Sequence, residues 1–218
     1  MTERSLDDVV TALDLVGERP LLVTDADEVL FRYMEALEAF LDEQGCYFDW
    51  SSFALTGNVR RRTDNLALES HEVQAVLAAF FEAHCEHLEP VPGAAEALDA
   101  LSRRGVQVVV LSNVPAAQEG ARRRALERAG MPYPLVGNTG RKGPATARLV
   151  RDVTAPAFFV DDIGMNLASV AEHAPMVRRY HLSAHPRLTE LQGPVVAAHA
   201  APRDWDELRR LIEADLPG

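Results

Sequence analysis

Short apolar runs alternate along the chain with longer helical patterns. The runs at 21–24, 106–111 and 157–160 are rich in β-branched or aromatic residues, and polar residues follow each of them at once. Runs of this kind are typical of buried parallel strands. Two weaker runs, at 176–180 and 195–198, are further strand candidates. The pattern predicts an α/β fold with one parallel sheet flanked by helices.

Helical patterns fill most of the segments between these strands. Gly105 and Gly130 are well placed to end two of the helices, because glycine is common just past a helix C-terminus. Asp204, with Glu207 three residues later, resembles a capping box for a last helix that ends near residue 214. The helices that Gly105 and Gly130 end are expected at 92–104 and 116–129, and two more are expected at 143–153 and 165–172.

The stretch 31–89 departs from the alternation of strands and helices. It contains helical patterns at 33–44 and 71–87, the second with Ser70 as its expected N-cap, and no strand-like run separates them. We therefore expect a core domain built from 1–30 and 90–218, with 31–89 forming a small helical domain inserted after the first core strand.

Composition and charge narrow the class of protein. The 218 residues are 47% hydrophobic and 25% charged, which suits a globular domain with a real core. A formal net charge of −11 makes nucleic acids and anionic membranes poor partners. The first residues, MTERSLDD, do not form an export signal. The two cysteines, Cys46 and Cys85, are expected to be packing residues in a reduced, cytoplasmic protein.

Polar residues that could bind a ligand or act in catalysis follow the three strongest strand candidates. In an open parallel sheet, ligands bind outside the carboxyl ends of the strands. The first strand ends in Asp25 and Asp27, the second in Ser112 and Asn113, and the third in Asp161 and Asp162, while Lys142 opens the helix before the third strand.

Four carboxylates at one edge predict a metal ion. Two like charges about 4 Å apart repel by roughly 4 kcal/mol at an effective dielectric constant of 20. Hard oxygen ligands with open positions suit Mg²⁺, which shares its coordination with substrate phosphate. The predicted metal ligands are Asp25, Asp27, Asp161 and Asp162.

With a cation present, each residue has an expected role in phosphoryl transfer. Asp25 is the candidate nucleophile, and Asp27, two residues on, is placed to act as general acid and then general base. Lys142 offsets negative charge and binds phosphoryl oxygens, together with Ser112 and Asn113.

The same residues resemble the motifs of the haloacid dehalogenase-like (HAD) hydrolase superfamily. Residues 22–30 look like its first motif and 109–113 like its second; Lys142 matches the third, and 159–162 with Asn166 is similar to the double-aspartate form of the fourth. The resemblance covers roughly residues 18–180. It implies a Rossmann-like core, a helical C1 cap in the insert, Mg²⁺ and an aspartyl-phosphate intermediate.

The resemblance also separates activities within the superfamily. Its phosphatases and phosphomutases keep the second aspartate of the first motif, so Asp27 favours a phosphatase that acts on a small phosphorylated metabolite. Glu28 and Val29 depart from the family pattern, where many members have glycine and threonine. A phosphomutase or phosphotransferase of the same fold, and a non-catalytic binding protein, are the alternatives. Either a monomer or a homodimer is compatible with the sequence.

Two arginine runs remain. Arg60, Arg61 and Arg62 in the insert are candidates for substrate recognition, because arginine binds carboxylates and phosphates through paired hydrogen bonds. The run at 122–124 is expected to form a solvated face of a core helix.

Overall fold

The structure is a computed structural model that describes residues 6–217. The described helices are α1 Leu6–Ala12, α2 Tyr33–Glu43, α3 Ser70–His84, α4 Ala94–Arg103, α5 Glu119–Arg128, α6 Gly143–Val150, α7 Gly164–His173, α8 Pro186–Gln192 and α9 Trp205–Ala214, with a 3₁₀ turn at Ala116–Gln118 before α5. The strands are β1 Leu21–Thr24, β2 Cys46–Phe48, β3 Val59–Arg61, β4 Gln107–Ser112, β5 Leu135–Gly137, β6 Ala157–Asp161 and β7 Arg178–His181.

Five of the strands form one parallel sheet in the order β5-β4-β1-β6-β7. The predicted α/β class and the three strong strand predictions are confirmed, and β7 confirms the run at 176–180 with a small shift. The strand predicted at 195–198 is wrong. That segment is an irregular loop, and Val196 is 99% exposed. β5 was not predicted, because three residues are too few for a readable pattern.

Both faces of the sheet are covered by helices. Leu22, Val110 and Phe158 point to one face, where they pack with residues of the insert and of α4, α5 and α9. Leu21 and Phe159 point to the other face and pack with α1, α6 and α7. Strands buried on both faces must be apolar at consecutive positions, which explains the unbroken apolar runs in the sequence.

The insert contains a β-hairpin that the sequence analysis missed. β2 pairs antiparallel with β3, in the register Tyr47 opposite Arg60. The prediction of an insert without strands is therefore wrong, and the reason is the strand length of three residues each. Ser70, predicted as the N-cap, is instead the first residue of α3. The N-cap is Glu69, whose backbone N–H donates to the Glu72 carboxylate over 2.8 Å. The division of the chain at residues 30 and 90 stays a prediction.

The last helix begins with the predicted cap. The Asp204 carboxylate accepts a hydrogen bond of 2.8 Å from the Glu207 backbone N–H. The Glu207 side chain, however, accepts from the Arg203 backbone N–H rather than closing the box on Asp204. Trp205 is fully buried and donates its indole N–H to Val29 O over 2.8 Å, so α9 supports the loop that follows β1.

Cys46 and Cys85 are buried and unpaired, as expected for packing residues. Within the described part of the chain, the helices are too short or too polar to cross a bilayer.

Candidate active site

The candidate catalytic and ligand-binding residues meet at the carboxyl-terminal edge of the sheet. Asp25 directly follows β1, Ser112 is the last residue of β4, and Asp161 and Asp162 end and follow β6. β1 lies between β4 and β6, so these three strand ends are neighbours. The reversal of strand order at β1 creates the crevice in which ligands of open α/β sheets bind.

Lys142 joins two of the strand ends. Its Nζ lies 2.6 Å from Asp25 Oδ1 and 2.8 Å from Asp161 Oδ2, and its side chain is 1% exposed. Burial lowers the pKa of Lys142, but the two carboxylates outweigh burial and hold the pKa above its ordinary value. Gly143 allows this placement, because a Cβ there would overlap the backbone oxygen of Ser169 in α7.

Asp161 is fully buried and fully engaged by neighbouring donors. Besides Lys142, it accepts hydrogen bonds from the Ile163 backbone N–H (2.8 Å) and from the Asn166 side-chain amide (3.0 Å). These donors satisfy the hydrogen-bonding capacity of a buried carboxylate that also lies close to Asp25 and Asp162. Asp161 therefore fixes the position of Lys142.

Asp25 and Asp162 keep carboxylate oxygens free for a ligand. Asp25 Oδ1 accepts from the Ala26 backbone N–H over 2.6 Å, and burial raises the pKa of Asp25 to about 6 despite Lys142. The Asp162 carboxylate has no hydrogen bond to another described residue, and burial together with Asp161 and Asp25 raises its pKa well above the ordinary value.

Three of the four predicted metal ligands come together. Asp25, Asp161 and Asp162 each offer an oxygen within 4.8 Å of the others' oxygens, and all three are buried. Asp27 does not belong to this group of carboxylates. Hard oxygen donors this close are a suitable set for a divalent cation.

Asp27 is paired with Arg122, which corrects the sequence analysis. Arg122 was expected on a solvated face, but its side chain is completely buried and its Nη2 lies 2.6 Å from Asp27 Oδ1. The guanidinium also lies over the Phe31 ring, 5.0 Å from the centroid. Burial raises the pKa of Asp27, and Arg122 opposes that rise. Arg123 and Arg124 are exposed, as predicted.

Glu28 occupies a backbone conformation that glycine adopts more easily. Its φ is +61°, in the left-handed region that residues with a Cβ adopt only rarely. Its Oε1 accepts a 2.6 Å hydrogen bond from the Met34 backbone N–H, whereas Oε2 is buried without a partner. Burial raises the pKa of Glu28 to about 7.

Two of the predicted phosphate-binding side chains, Ser112 and Asn113, form hydrogen bonds within the protein. Ser112 Oγ accepts from the Val114 backbone N–H over 3.3 Å. The Asn113 side chain donates to Gly140 O over 3.0 Å and accepts from the Asn138 amide over 2.7 Å. Asn113 nevertheless lines the cavity beside Lys142.

Arg60, Arg61 and Arg62 lie on or directly after β3 and face acids of the insert. Arg60 pairs with Asp49 (3.1 Å) and Arg62 with Asp42 (2.6 Å), while Arg61 contacts two carboxylates, Glu72 (3.2 Å) and Asp64 (3.6 Å). None of the three arginines lines the cavity described below.

A cavity of about 320 Å³ opens onto the strand ends. It is lined by Asp25, Asp27, Lys142 and Asp162, by Ile163 and Leu188, and by the polar residues Glu28, Asn113, Asn166 and Gln192. The insert supplies one wall, whose residues are Tyr33, Met34, Phe53, Leu55, Leu77 and Phe81.

No protein-family model and no curated protein matches this sequence. Solved structures do share its fold. A hydrolase from Pseudomonas syringae is 14% identical and superposes with a TM-score of 0.60, over 91% of this chain and 100% of that one. A protein described as a haloacid dehalogenase-like hydrolase, from Burkholderia xenovorans, is 14% identical, with a TM-score of 0.62 over 92% of this chain and 100% of that one. CbbY from Rhodobacter sphaeroides, solved with phosphate, is 15% identical, with a TM-score of 0.58 over 87% of this chain and 96% of that one. The resemblance seen in the sequence is thus matched in three dimensions, and the chain has the fold of the haloacid dehalogenase-like hydrolases.

Proposed function

We propose that this protein is a Mg²⁺-dependent phosphatase that hydrolyses small phosphomonoesters, with Asp25 as the nucleophile. The observation that carries the proposal is the position of Lys142 between Asp25 and Asp161, beside the unpaired carboxylate of Asp162. Buried acids at such spacing are costly in a purely structural role. The fold shared with hydrolases, and with a CbbY structure that holds phosphate, supports the same activity.

The free oxygens of Asp25 and Asp162 would hold the metal ion, with Asp161 beside them. When bound, Mg²⁺ supplies positive charge that offsets repulsion between carboxylate and phosphoryl group and stabilises the equatorial phosphoryl oxygens. Lys142 has the same electrostatic effect from the protein side, since it remains a cation at neutral pH.

Asp25 and Asp27 would divide the bond changes between them. A bond forms from an Asp25 carboxylate oxygen to phosphorus while the ester P–O bond breaks, and the leaving alkoxide takes a proton from Asp27. In the second half, Asp27 accepts a proton from water, the water oxygen bonds to phosphorus, and the bond between Asp25 and phosphorus breaks. Burial favours the protonated Asp27 that the first half needs, and Arg122 stabilises the carboxylate left after it.

Replacing Asp25 by Asn tests the proposal. We expect phenyl phosphate to be hydrolysed in Mg²⁺, and the activity to be lost both in Asp25→Asn and on addition of a chelator. Asp152→Asn, which removes an exposed carboxylate, is the matched control and should keep full activity. Turnover that persists in Asp25→Asn would refute the nucleophile.

The alternatives give different products. A phosphomutase would transfer the phosphoryl group to a second alcohol and require a bisphosphate activator, so phosphate release without an activator separates the two. A non-catalytic protein would show no turnover that depends on Asp25. The cytoplasmic location and the monomeric or homodimeric state of the protein stay predictions.

A further inference from the structure

The cavity wall that the insert supplies is apolar apart from the Tyr33 hydroxyl. The six insert residues that line it are Tyr33, Met34, Phe53, Leu55, Leu77 and Phe81, and Ile163 and Leu188 extend the surface from the core. The Tyr33 ring packs edge-on against Phe80, 5.2 Å between centroids, so the wall is held in place by packing beneath it. The leaving group of an ester bound at Asp25 would lie in the cavity that these side chains line.

The amide side chains that line the cavity are already bonded within the protein, whereas the Tyr33 hydroxyl and the Asp162 carboxylate have no hydrogen bond to another described residue. Gln192 donates to Asp162 O (2.7 Å) and accepts from the Gly164 backbone N–H (2.9 Å). Asn113 is bonded at both its nitrogen and its oxygen, and Asn166 is bonded to Asp161. Sugar hydroxyls would therefore find no free amide group in the cavity, and only the Tyr33 hydroxyl and the carboxylates remain as partners. A buried hydroxyl without a partner is unfavourable.

The cavity also has no spare positive charge. Among the residues that line it, Lys142 is the one cation, and it already contacts two carboxylates. Arg122 is wholly buried and paired with Asp27, and Arg60, Arg61 and Arg62 contact acids of the insert. A carboxylate or second phosphate on the leaving group would meet Asp27 and Glu28 without a cation of its own.

We propose that the cavity selects phosphomonoesters with an uncharged, apolar leaving group, such as an aryl or cycloalkyl alcohol, over sugar phosphates and doubly anionic esters. The inference rests on the proposed phosphatase activity and names the substrate class of that site. The cavity volume of about 320 Å³ is at the small end of the range for ligand pockets, which suits a leaving group with one ring rather than an extended chain.

Two esters that differ in their hydroxyl groups test the first half of the proposal. Cyclohexylmethyl phosphate and glucose 6-phosphate are both primary alkyl esters attached to a six-membered ring, so their leaving groups are alike in reactivity. We expect kcat/KM to be at least about tenfold higher for cyclohexylmethyl phosphate, a ratio typical of differential burial in an apolar pocket.

A charge introduced into the wall tests the second half. Wild-type protein should prefer phenyl phosphate to 4-carboxyphenyl phosphate. Phe53 is 41% exposed at the cavity, so Phe53→Arg can place a cation there without burying it, and should shift this preference at least about tenfold towards the carboxylate ester. Val196→Arg adds the same charge on a loop outside the cavity, where Val196 is 99% exposed, and should leave the preference unchanged. An unchanged preference in Phe53→Arg would contradict the placement of the leaving group against the insert.

Binding separates failure of the substrate class from failure of the phosphatase proposal. Binding of cyclohexylmethyl phosphate and of glucose 6-phosphate to Asp25→Asn is measured by calorimetry, alongside turnover by wild type. Glucose 6-phosphate hydrolysed as well as its apolar counterpart, by a reaction that needs Asp25, would overturn the substrate class and leave the phosphatase standing. Selective binding of the apolar ester without turnover would support the substrate class and refute the phosphatase. The absence of both binding and turnover would overturn the substrate class and the phosphatase proposal.

Discussion

Glu28 gives the most quantitative prediction, because its side chain is 3% exposed and no cation contacts it. One carboxylate oxygen accepts from the Met34 backbone N–H near the start of α2, and the other has no partner. Burial raises the pKa of Glu28 from 4.5 to about 7 in the folded protein. Between these values the folded state holds a proton that the unfolded state has lost.

The sign and size of the effect follow from proton linkage. The folded state binds more protons between pH 4.5 and about 7, so the contribution of Glu28 to the free energy of unfolding falls as the pH rises through this window. Between pH 5 and pH 8 the loss amounts to about 2.5 kcal/mol. Above pH 8 both states are ionised and no further loss occurs.

Glu28→Gln isolates this contribution. The amide oxygen can still accept from Met34 N, but the side chain no longer titrates. We expect the free energy of unfolding of Glu28→Gln, relative to wild type, to rise by about 2.5 kcal/mol from pH 5 to pH 8. Urea denaturation in metal-free buffer at the two pH values measures it.

Glu43→Gln is the matched control, because Glu43 is an exposed glutamate at the end of α2, the helix whose start Glu28 contacts. Its stability relative to wild type should change little over the same pH range. A stability difference between Glu28→Gln and wild type that stays constant from pH 5 to pH 8 would refute the argument. It would mean that the Glu28 carboxylate is hydrated in the folded protein.

Two further substitutions test the charge balance of the site. Asp162→Asn should raise the free energy of unfolding in chelator by about 1–2 kcal/mol, and it should remove any rise in Tm caused by Mg²⁺. Two ionised carboxylates with oxygens within 4.8 Å of each other repel by about 3.5 kcal/mol or more at an effective dielectric constant of 20, and the raised pKa of Asp162 relieves part of this repulsion. Lower stability in chelator would show that the Asp162 carboxylate has a favourable partner. Arg122→Met should cost about 2–3 kcal/mol and lower kcat, with Arg122→Lys losing less of both. The expected cost is below that of a fully buried pair because the Asp27 side chain is 24% exposed, and denaturation curves with unchanged stability would contradict the pairing.

The parallel core could be predicted because its strands are buried on both faces. Leu21 to Thr24 are all buried, and unbroken apolar runs of this kind stand out from helical patterns. The same regularity predicted the meeting of Asp25, Asp161 and Asp162, since residues that follow neighbouring parallel strands reach one edge. The hairpin of the insert gave no comparable signal, because β2 and β3 have three residues each. Buried and partly exposed positions alternate in β2 but not throughout β3.

The role of Arg122 depended on contacts distant in sequence, but one signal was present. Arg122 shares a helix face with Ala125 and Leu126, which are buried, and the spacing of three and four residues places all three on the inner side of α5. The triple-arginine run concealed that periodicity. The partners of Arg60 and Arg62 could not be read from the sequence, because Asp49 and Asp42 reach them only through the fold of the hairpin.

The central claim is that Asp25 forms a covalent bond to phosphorus. Rapid acid quenching of wild-type protein during turnover of phenyl phosphate in Mg²⁺, followed by mass spectrometry of its peptides, tests this most directly. The account predicts that the peptide containing Asp25 gains the mass of one phosphoryl group, that hydroxylamine removes it, and that Asp25→Asn never acquires it. Rapid turnover with no phosphorylated Asp25 at any quench time, or a phosphoryl group on another residue, would contradict the account.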